Sequence, residues 1–205
     1  ITARRKSGYV TIPQYDVSHE EMQKLQKEIK VRKTHAKKAL SILGINKMRF
    51  LDMPNQELDQ IPLLKITKEI ESEISKTKAN VIFTHHFNDL NLDHRIIYEA
   101  TITAARPIPG STISSIISFE IPASTDWKKP YQFSPNLYVD ISDELKYKVR
   151  ALKAYHYEIR RSPHPRSAQM TEAIAKRWGS LSGYGAAEAF EIIMSRVSNV
   201  SKLNL

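Results

Sequence analysis

The sequence predicts an α/β fold in which helices cover both faces of a mostly parallel sheet. Short apolar segments alternate along the chain with longer segments of helical periodicity. One apolar segment, residues 80–84, is followed directly by a polar loop and then by another helical segment. This order of strand, helix, strand, polar loop and helix is typical of α/β sheets. The 205 residues are enough for one sizeable domain of this class.

Capping and turn residues divide the chain into successive elements. Ser18, followed by acidic residues, predicts a helix start, and Gly44 predicts the end of that helix. Pro62 predicts the first position of a second helix, Asp93 begins a third, and Ser142 caps a fourth. Residues 1–17 are predicted to be irregular or extended, the helices to cover residues 18–43, 62–76, 93–105, 142–159, 167–178 and 184–196, and the strands residues 48–51, 80–84, 113–121 and 137–141.

Composition and charge exclude several classes of protein. There is no cysteine, which excludes disulfides, thiolate zinc sites and cysteine nucleophiles and favours a reducing, cytoplasmic location. No apolar run approaches the roughly 18 residues of a membrane span, so we expect no membrane partner. The net charge of +9 by itself suggests a protein that binds nucleic acid. However, acidic residues interrupt the basic ones and no base-stacking motif occurs, so we expect no nucleic-acid partner and rank a nucleic-acid-binding protein last.

Three of the seven histidines cluster after the most apolar predicted strand. His85 and His86 come directly after that strand, and Asp89, Asp93 and His94 follow within a few residues. Ligands of α/β sheets bind beyond the carboxyl ends of the strands. Imidazole nitrogen and carboxylate oxygen are ligands that zinc accepts when no thiolate is available. The cluster is therefore a candidate metal site. The alternative is a capped, solvated turn in which Asp93 acts only as a helix N-cap.

The stretch from Thr84 to Arg95, THHFNDLNLDHR, resembles the second metal motif of the LmbE / PIG-L deacetylase family. Several further similarities in family order make the resemblance specific, and it covers nearly the whole chain from residue 1. They lie at residues 98–100, 103–107, 118–122, 124–127, 136–141, 152–155, 164–167 and 187–190.

The resemblance implies a Rossmann-like three-layer domain that binds one divalent metal ion, usually zinc. It also implies hydrolysis of an N-acetyl group, often on an N-acetylglucosamine unit. His94 would be a metal ligand, and Asp93 would fix its orientation. Asn91 stands where many relatives carry a histidine that donates a proton or stabilises the oxyanion; an asparagine can donate a hydrogen bond but cannot shuttle a proton. We predict Asn91, Asp93 and His164 as catalytic residues, with His164 as the alternative proton donor.

Three further residues are predicted to contact the substrate, namely Asp89, Arg106 and Arg166. Guanidinium groups suit hydroxyls, phosphates and carboxylates, although a structural ion pair is the alternative for each arginine. The substrate that the resemblance implies is a small N-acetylated sugar or a glycoconjugate. Relatives are often oligomeric, so a homo-oligomer is a further expectation that only the resemblance supports.

The first motif of the family, of the sense HPDDE, has no counterpart in the sequence. In the family it supplies two metal ligands and the aspartate that acts as general base. Residues 1–5 resemble the segment that follows the second strand of the family fold. We therefore expect residues 1–205 to be the C-terminal major part of one deacetylase domain, with the N-terminal strand and helix missing. We predict an enzyme for the full-length protein; the alternative is a non-catalytic LmbE-like fragment or binding protein.

Overall fold

A computed structural model describes residues 18–199, so the predictions made for residues 1–17 lie outside the described residues. The described chain forms two compact units, one of residues 18–58 and 139–188 and one of residues 59–138 and 189–199. The elements are α1 (His19–Ile42), a 3-10 turn (Leu58–Gln60), α2 (Leu63–Thr77), β1 (Val81–His85), α3 (Leu92–Ala104), β2 (Ser115–Phe119), β3 (Leu137–Asp140), α4 (Leu145–Lys153), α5 (Ala168–Ser182) and β4 (Ala187–Ser195).

The strands form a mixed sheet in the order β1–β2–β4–β3. β1 and β2 are parallel, whereas β2 and β4 are antiparallel. The Ile141 N–H donates to the Ala186 carbonyl, so β4 begins beside the end of β3 and returns in the opposite direction. The α/β class is confirmed. The strand directions of the described sheet differ from the mostly parallel arrangement that was expected. Among the described strands, β1 and β2 are joined by a single-helix crossover, whereas two helices separate β3 from β4.

In the second unit, α3 packs against β1 and α2 packs against α3. The core of this unit contains Ala105, Ile113 and Ile116, and Ile82 of β1 packs against it. Because side chains alternate along a strand, Ile82 and Thr84 share the face of β1 that turns toward this core. The polar loop that follows β1 is therefore held between a fixed strand and the first turn of α3.

In the first unit, α1 packs on α4 and α4 packs on α5. Ala39, Ala151 and Ala154 form its small buried cluster. A Cβ atom on Gly179 would stand 2.7 Å from the Tyr184 carbonyl oxygen, so this position of α5 accepts only glycine without movement of the backbone. Within residues 18–199, no helix combines the length and the apolar character that crossing a bilayer requires.

Three predicted elements are wrong. Residues 48–51 are mostly exposed and pair with no described strand. The helix predicted to reach residue 159 ends at Lys153, because the chain then folds into turns such as the one closed by the Glu158 N–H and the Tyr155 carbonyl. Residues 184–196 contain β4 instead of a helix. Along residues 187–191 buried side chains alternate with partly exposed ones, which is the period of a strand.

Candidate metal-binding and catalytic site

Asp89 lies at the centre of the loop between β1 and α3. Its side chain is fully buried. The carboxylate accepts hydrogen bonds from the Asn91 N–H at 2.8 Å, from the Thr125 hydroxyl at 2.7 Å and from the Ser124 hydroxyl. Burial by itself would raise the pKa of Asp89, but the contacts with His94, Ser124, Thr125 and Asn91 outweigh it and lower this pKa to about 2. Asp89 is therefore a charged group whose hydrogen bonds connect the loop after β1 to the turn that contains Ser124 and Thr125.

His94 lies in the first turn of α3 with its Nδ1 atom turned toward Asp89. Nδ1 is 3.1 Å from Oδ1 of Asp89, although the oxygen lies off the ideal hydrogen-bond direction. The other ring nitrogen, Nε2, is 3.3 Å from Nδ2 of Asn91. One nitrogen of His94 thus faces a buried carboxylate while the other contacts a neutral amide. A carboxylate behind the imidazole is the arrangement that metal-binding histidines commonly adopt.

His85 stacks on His94. The two ring centroids are 4.0 Å apart and the ring planes differ by 2°. Burial lowers the pKa of His85 to about 3; His94 lowers it as well, while Asp89 opposes the shift. His85 is therefore neutral at physiological pH, and it supports the flat face of His94.

His86 connects the end of β1 to β4. It is fully buried, and its Nδ1 atom accepts a hydrogen bond from the Asn88 N–H at 3.1 Å. Its Nε2 atom therefore carries the proton, and this atom lies 3.1 Å from Oε2 of Glu191 outside ideal hydrogen-bond geometry. Glu191 also accepts from the Ser134 N–H. These contacts give His86 a structural role beside the candidate site.

Two further side chains fix the backbone of the loop. The side-chain oxygen of Asn91 accepts from the Asp93 N–H at 2.9 Å and caps α3. The Arg95 guanidinium donates to the carbonyls of Asp89 and Leu90, at 2.6 and 3.1 Å. The Asn91 cap and the two hydrogen bonds from Arg95, which form a clamp on two carbonyls, both fix the loop backbone to the first turn of α3.

Four of the seven predicted site residues come together in this loop: Asp89, Asn91, Asp93 and His94. Asp93 is buried and Asn91 contacts His94 directly. Internal donors occupy the buried Asp89 carboxylate, which orients its neighbours. The predicted contact between Asp89 and the substrate stays a prediction.

The other three predicted site residues, Arg106, His164 and Arg166, make hydrogen bonds or ion pairs with residues outside this loop. Arg106 is half-exposed, donates to the Thr103 carbonyl at 2.6 Å and lies 3.3 Å from a Glu71 carboxylate oxygen, which is the structural ion pair considered as its alternative. In the first unit, Nδ1 of His164 accepts from the Arg166 N–H at 3.0 Å. The catalytic role of His164 and the substrate contacts of Arg106 and Arg166 stay predictions.

The loop suits a metal ion as far as His94 is concerned. Its buried Nδ1 atom faces a carboxylate, and its Nε2 atom lies 3.3 Å from Nδ2 of the Asn91 amide. A catalytic zinc site needs three protein ligands, however, and residues 18–199 contain no group of three or more histidine, aspartate or glutamate side chains placed to hold an ion. His94 therefore fits as a single ligand, and the described residues do not complete a three-ligand site.

Sequence reasoning missed the contribution of Ser124, Thr125 and Arg95. In the sequence Ser124 and Thr125 belong only to a segment of family similarity, and no spacing rule pairs them with Asp89, which lies 35 and 36 positions earlier in the chain. The hydroxyl pair before Asp126 is a signal for a hydrogen-bonded turn, but it does not identify the turn's partner.

The family comparison identifies the segment that carries this loop. The profile of the family described as "PIG-L: GlcNAc-PI de-N-acetylase" matches residues 6–105, which include β1, the loop and α3. The predicted PIG-L resemblance is confirmed.

Solved structures of this fold include both deacetylases and another enzyme. An N,N'-diacetylchitobiose deacetylase from Pyrococcus horikoshii is 17% identical and has a TM-score of 0.65, with 95% of this chain and 72% of that chain covered. The pseudoaglycone deacetylase Dbv21 is 21% identical with a TM-score of 0.60, over 82% and 72% of the two chains. The 4-carboxy-2-hydroxymuconate hydratase GalB from Pseudomonas putida is 16% identical with a TM-score of 0.66, over 91% and 78%. At these identities the likeness establishes the fold alone.

Proposed function

We propose that the protein, in its natural full-length form, is a metal-dependent deacetylase that hydrolyses an N-acetyl group on an N-acetylglucosamine-type substrate. The observation that carries this proposal is the Asp89–His94 pair inside the PIG-L segment. The family description names a de-N-acetylase of a GlcNAc lipid, and two structures of the same fold are named as deacetylases.

In this proposal the loop after β1 supplies one metal ligand and the groups that orient it. A bound divalent ion would lower the pKa of a water molecule and polarise the amide carbonyl. His94 would hold the ion through one nitrogen while Asp89 holds the ring. The Asn91 amide contacts Nε2 of His94, and its N–H groups suit a developing oxyanion but cannot deliver a proton. Proton delivery to the leaving amine is assigned to another group, for which His164 is our candidate.

Two other functions have some support. A non-catalytic relative is favoured by the incomplete ligand set within residues 18–199. Hydration of a small carboxylic acid is favoured by the similarity to the GalB fold, since one fold can host unrelated reactions. The PIG-L match favours amide hydrolysis over both.

Acetate release separates these functions. The full-length protein, as isolated, would be incubated with N-acetylglucosamine, an N-acetylglucosaminyl lipid and N,N'-diacetylchitobiose, and both acetate and free amine would be measured with and without a chelator. We expect acetate release that the chelator abolishes and that His94→Ala loses. His156→Ala is the matched control, because His156 is an exposed histidine of the first unit and should leave turnover unchanged. No acetate release from any of these N-acetylated substrates would contradict the proposal.

A further inference from the structure

We propose that Asp89 and Asn91 together hold His94 as the neutral tautomer that carries its proton on Nδ1. Nε2 is then an unprotonated acceptor, and a bound ion would take the lone pair that the Asn91 amide contacts in this structure. The tautomer follows from the hydrogen-bonding groups around the ring. Only its use, the binding of a metal ion by Nε2, rests on the proposed function.

The first constraint comes from the Asp89 side of the ring. The Asp89 carboxylate already accepts from three donors and is an acceptor group in this environment. Its Oδ1 atom lies 3.1 Å from Nδ1 of His94, and both groups are buried at this contact. An unprotonated Nδ1 would place two lone pairs against each other without water to separate them, which is costly. The proton is therefore on Nδ1.

The second constraint comes independently from Asn91. Its Oδ1 atom accepts the Asp93 N–H at 2.9 Å as the cap of α3, which fixes the direction of the side-chain amide. The atom that faces Nε2 of His94 is consequently Nδ2, at 3.3 Å. An amide NH₂ group only donates, so Nε2 has to be the acceptor. Reversing the amide would remove the helix cap.

The position of the ring is restricted as well. His85 stacks on it at 4.0 Å, with planes that differ by 2°, and this contact resists tilting of His94. Ser124 and Thr125 act one step further away, because they hold the carboxylate that faces Nδ1. Asp89 is thus a positioning residue whose effect passes through His94.

Nitrogen-15 NMR of histidine-labelled, metal-free protein at mildly alkaline pH reads the tautomer directly. Wild-type His94 should show a protonated Nδ1 and an unprotonated Nε2. Asn91→Asp keeps a capping oxygen but turns an acceptor toward Nε2, so Nε2 should gain a proton. Asn88→Asp is the same change three residues earlier, at a side chain whose amide donates to the Pro130 carbonyl at 2.9 Å, and it should leave the His94 signals in place. A wild-type His94 protonated on Nε2, or an Asn91→Asp spectrum like that of the wild type, would overturn the inference.

A cobalt titration of the full-length protein tests the consequence. Asp89→Ala should weaken cobalt binding about 10- to 100-fold, as expected when a group that orients a metal ligand is lost. If this variant does not fold, the Asn91→Asp spectrum decides the matter. Equal cobalt affinity in wild type and a folded Asp89→Ala would overturn the positioning role. A wild type that binds no cobalt but shows the Nδ1–H tautomer would contradict the proposed function while supporting the tautomer, so the two failures are distinguishable.

Discussion

Replacing Asp89 with asparagine removes one charge from the loop without changing its volume. Asparagine has a single acceptor oxygen, so its NH₂ group would face a donor such as the Thr125 hydroxyl. The Thr125 oxygen already accepts a hydrogen bond from the Ile121 N–H at 2.8 Å. In the wild type the pKa of Asp89 falls from 3.8 to about 2. A shift of this size corresponds to about 2 kcal/mol of stabilisation at neutral pH, and a hydrogen bond to a charged group contributes about 1.5–3 kcal/mol. We therefore expect Asp89→Asn to lower the free energy of unfolding by about 2–3 kcal/mol.

The pH dependence provides a second check on the same change. Because the pKa of Asp89 is depressed in the folded protein, the stabilisation is fully present above the unfolded value of 3.8 and is lost as the pH falls toward about 2. The stability difference between wild type and Asp89→Asn should therefore shrink across this window. Urea unfolding, followed by tryptophan fluorescence at neutral pH and at steps down to about pH 2, measures this stability difference. Asp140→Asn, an exposed carboxyl that accepts from Ser142, is the control and should have a much smaller effect. A loss below about 1 kcal/mol, or a difference that stays constant on acidification, would refute the reasoning.

Three further variants test other parts of the account. His94→Ala should lose bound metal and deacetylase activity together, measured by metal analysis and acetate release; retained metal with full turnover would contradict its role. Gly179→Ala should cost about 1–3 kcal/mol in thermal unfolding, because its Cβ would meet the Tyr184 carbonyl oxygen at 2.7 Å, whereas Ser180→Ala at the next, exposed position of α5 should be nearly neutral. Arg95→Lys should lower kcat and cost about 1 kcal/mol of stability through loss of the two-carbonyl clamp; unchanged kcat would show that the clamp does not position the loop.

The sequence predicted the elements that have clear capping signals. α2 begins at Leu63 directly after Pro62, and α1 begins directly after Ser18, because these start signals are local. Residues 184–196 were predicted wrongly because AAEAFEII contains good helix formers as well as a period-two pattern. Pairing with β2 decides in favour of the strand, and pairing is a long-range contact that local patterns do not contain.

The site was predictable only as far as its local motif extends. His94 and the Asn91 cap lie three residues apart on one helix turn, so the sequence places them together. The buried state of Asp89 depends on Ser124 and Thr125, which a separate loop brings to it. For this reason the local motif alone does not predict which donors hold the Asp89 carboxylate, and its predicted contact with a substrate stays a prediction.

The central claim is tested most directly by the stoichiometry of the reaction. The full-length protein would be given an N-acetylglucosaminyl glycoside, and acetate, free amine and bound metal would be measured on one sample, beside His94→Ala. The account predicts equal amounts of acetate and free amine from the wild type, about one metal ion per chain as a mononuclear catalytic site requires, and neither product from the variant. Acetate release that continues in a metal-free His94→Ala protein would contradict it.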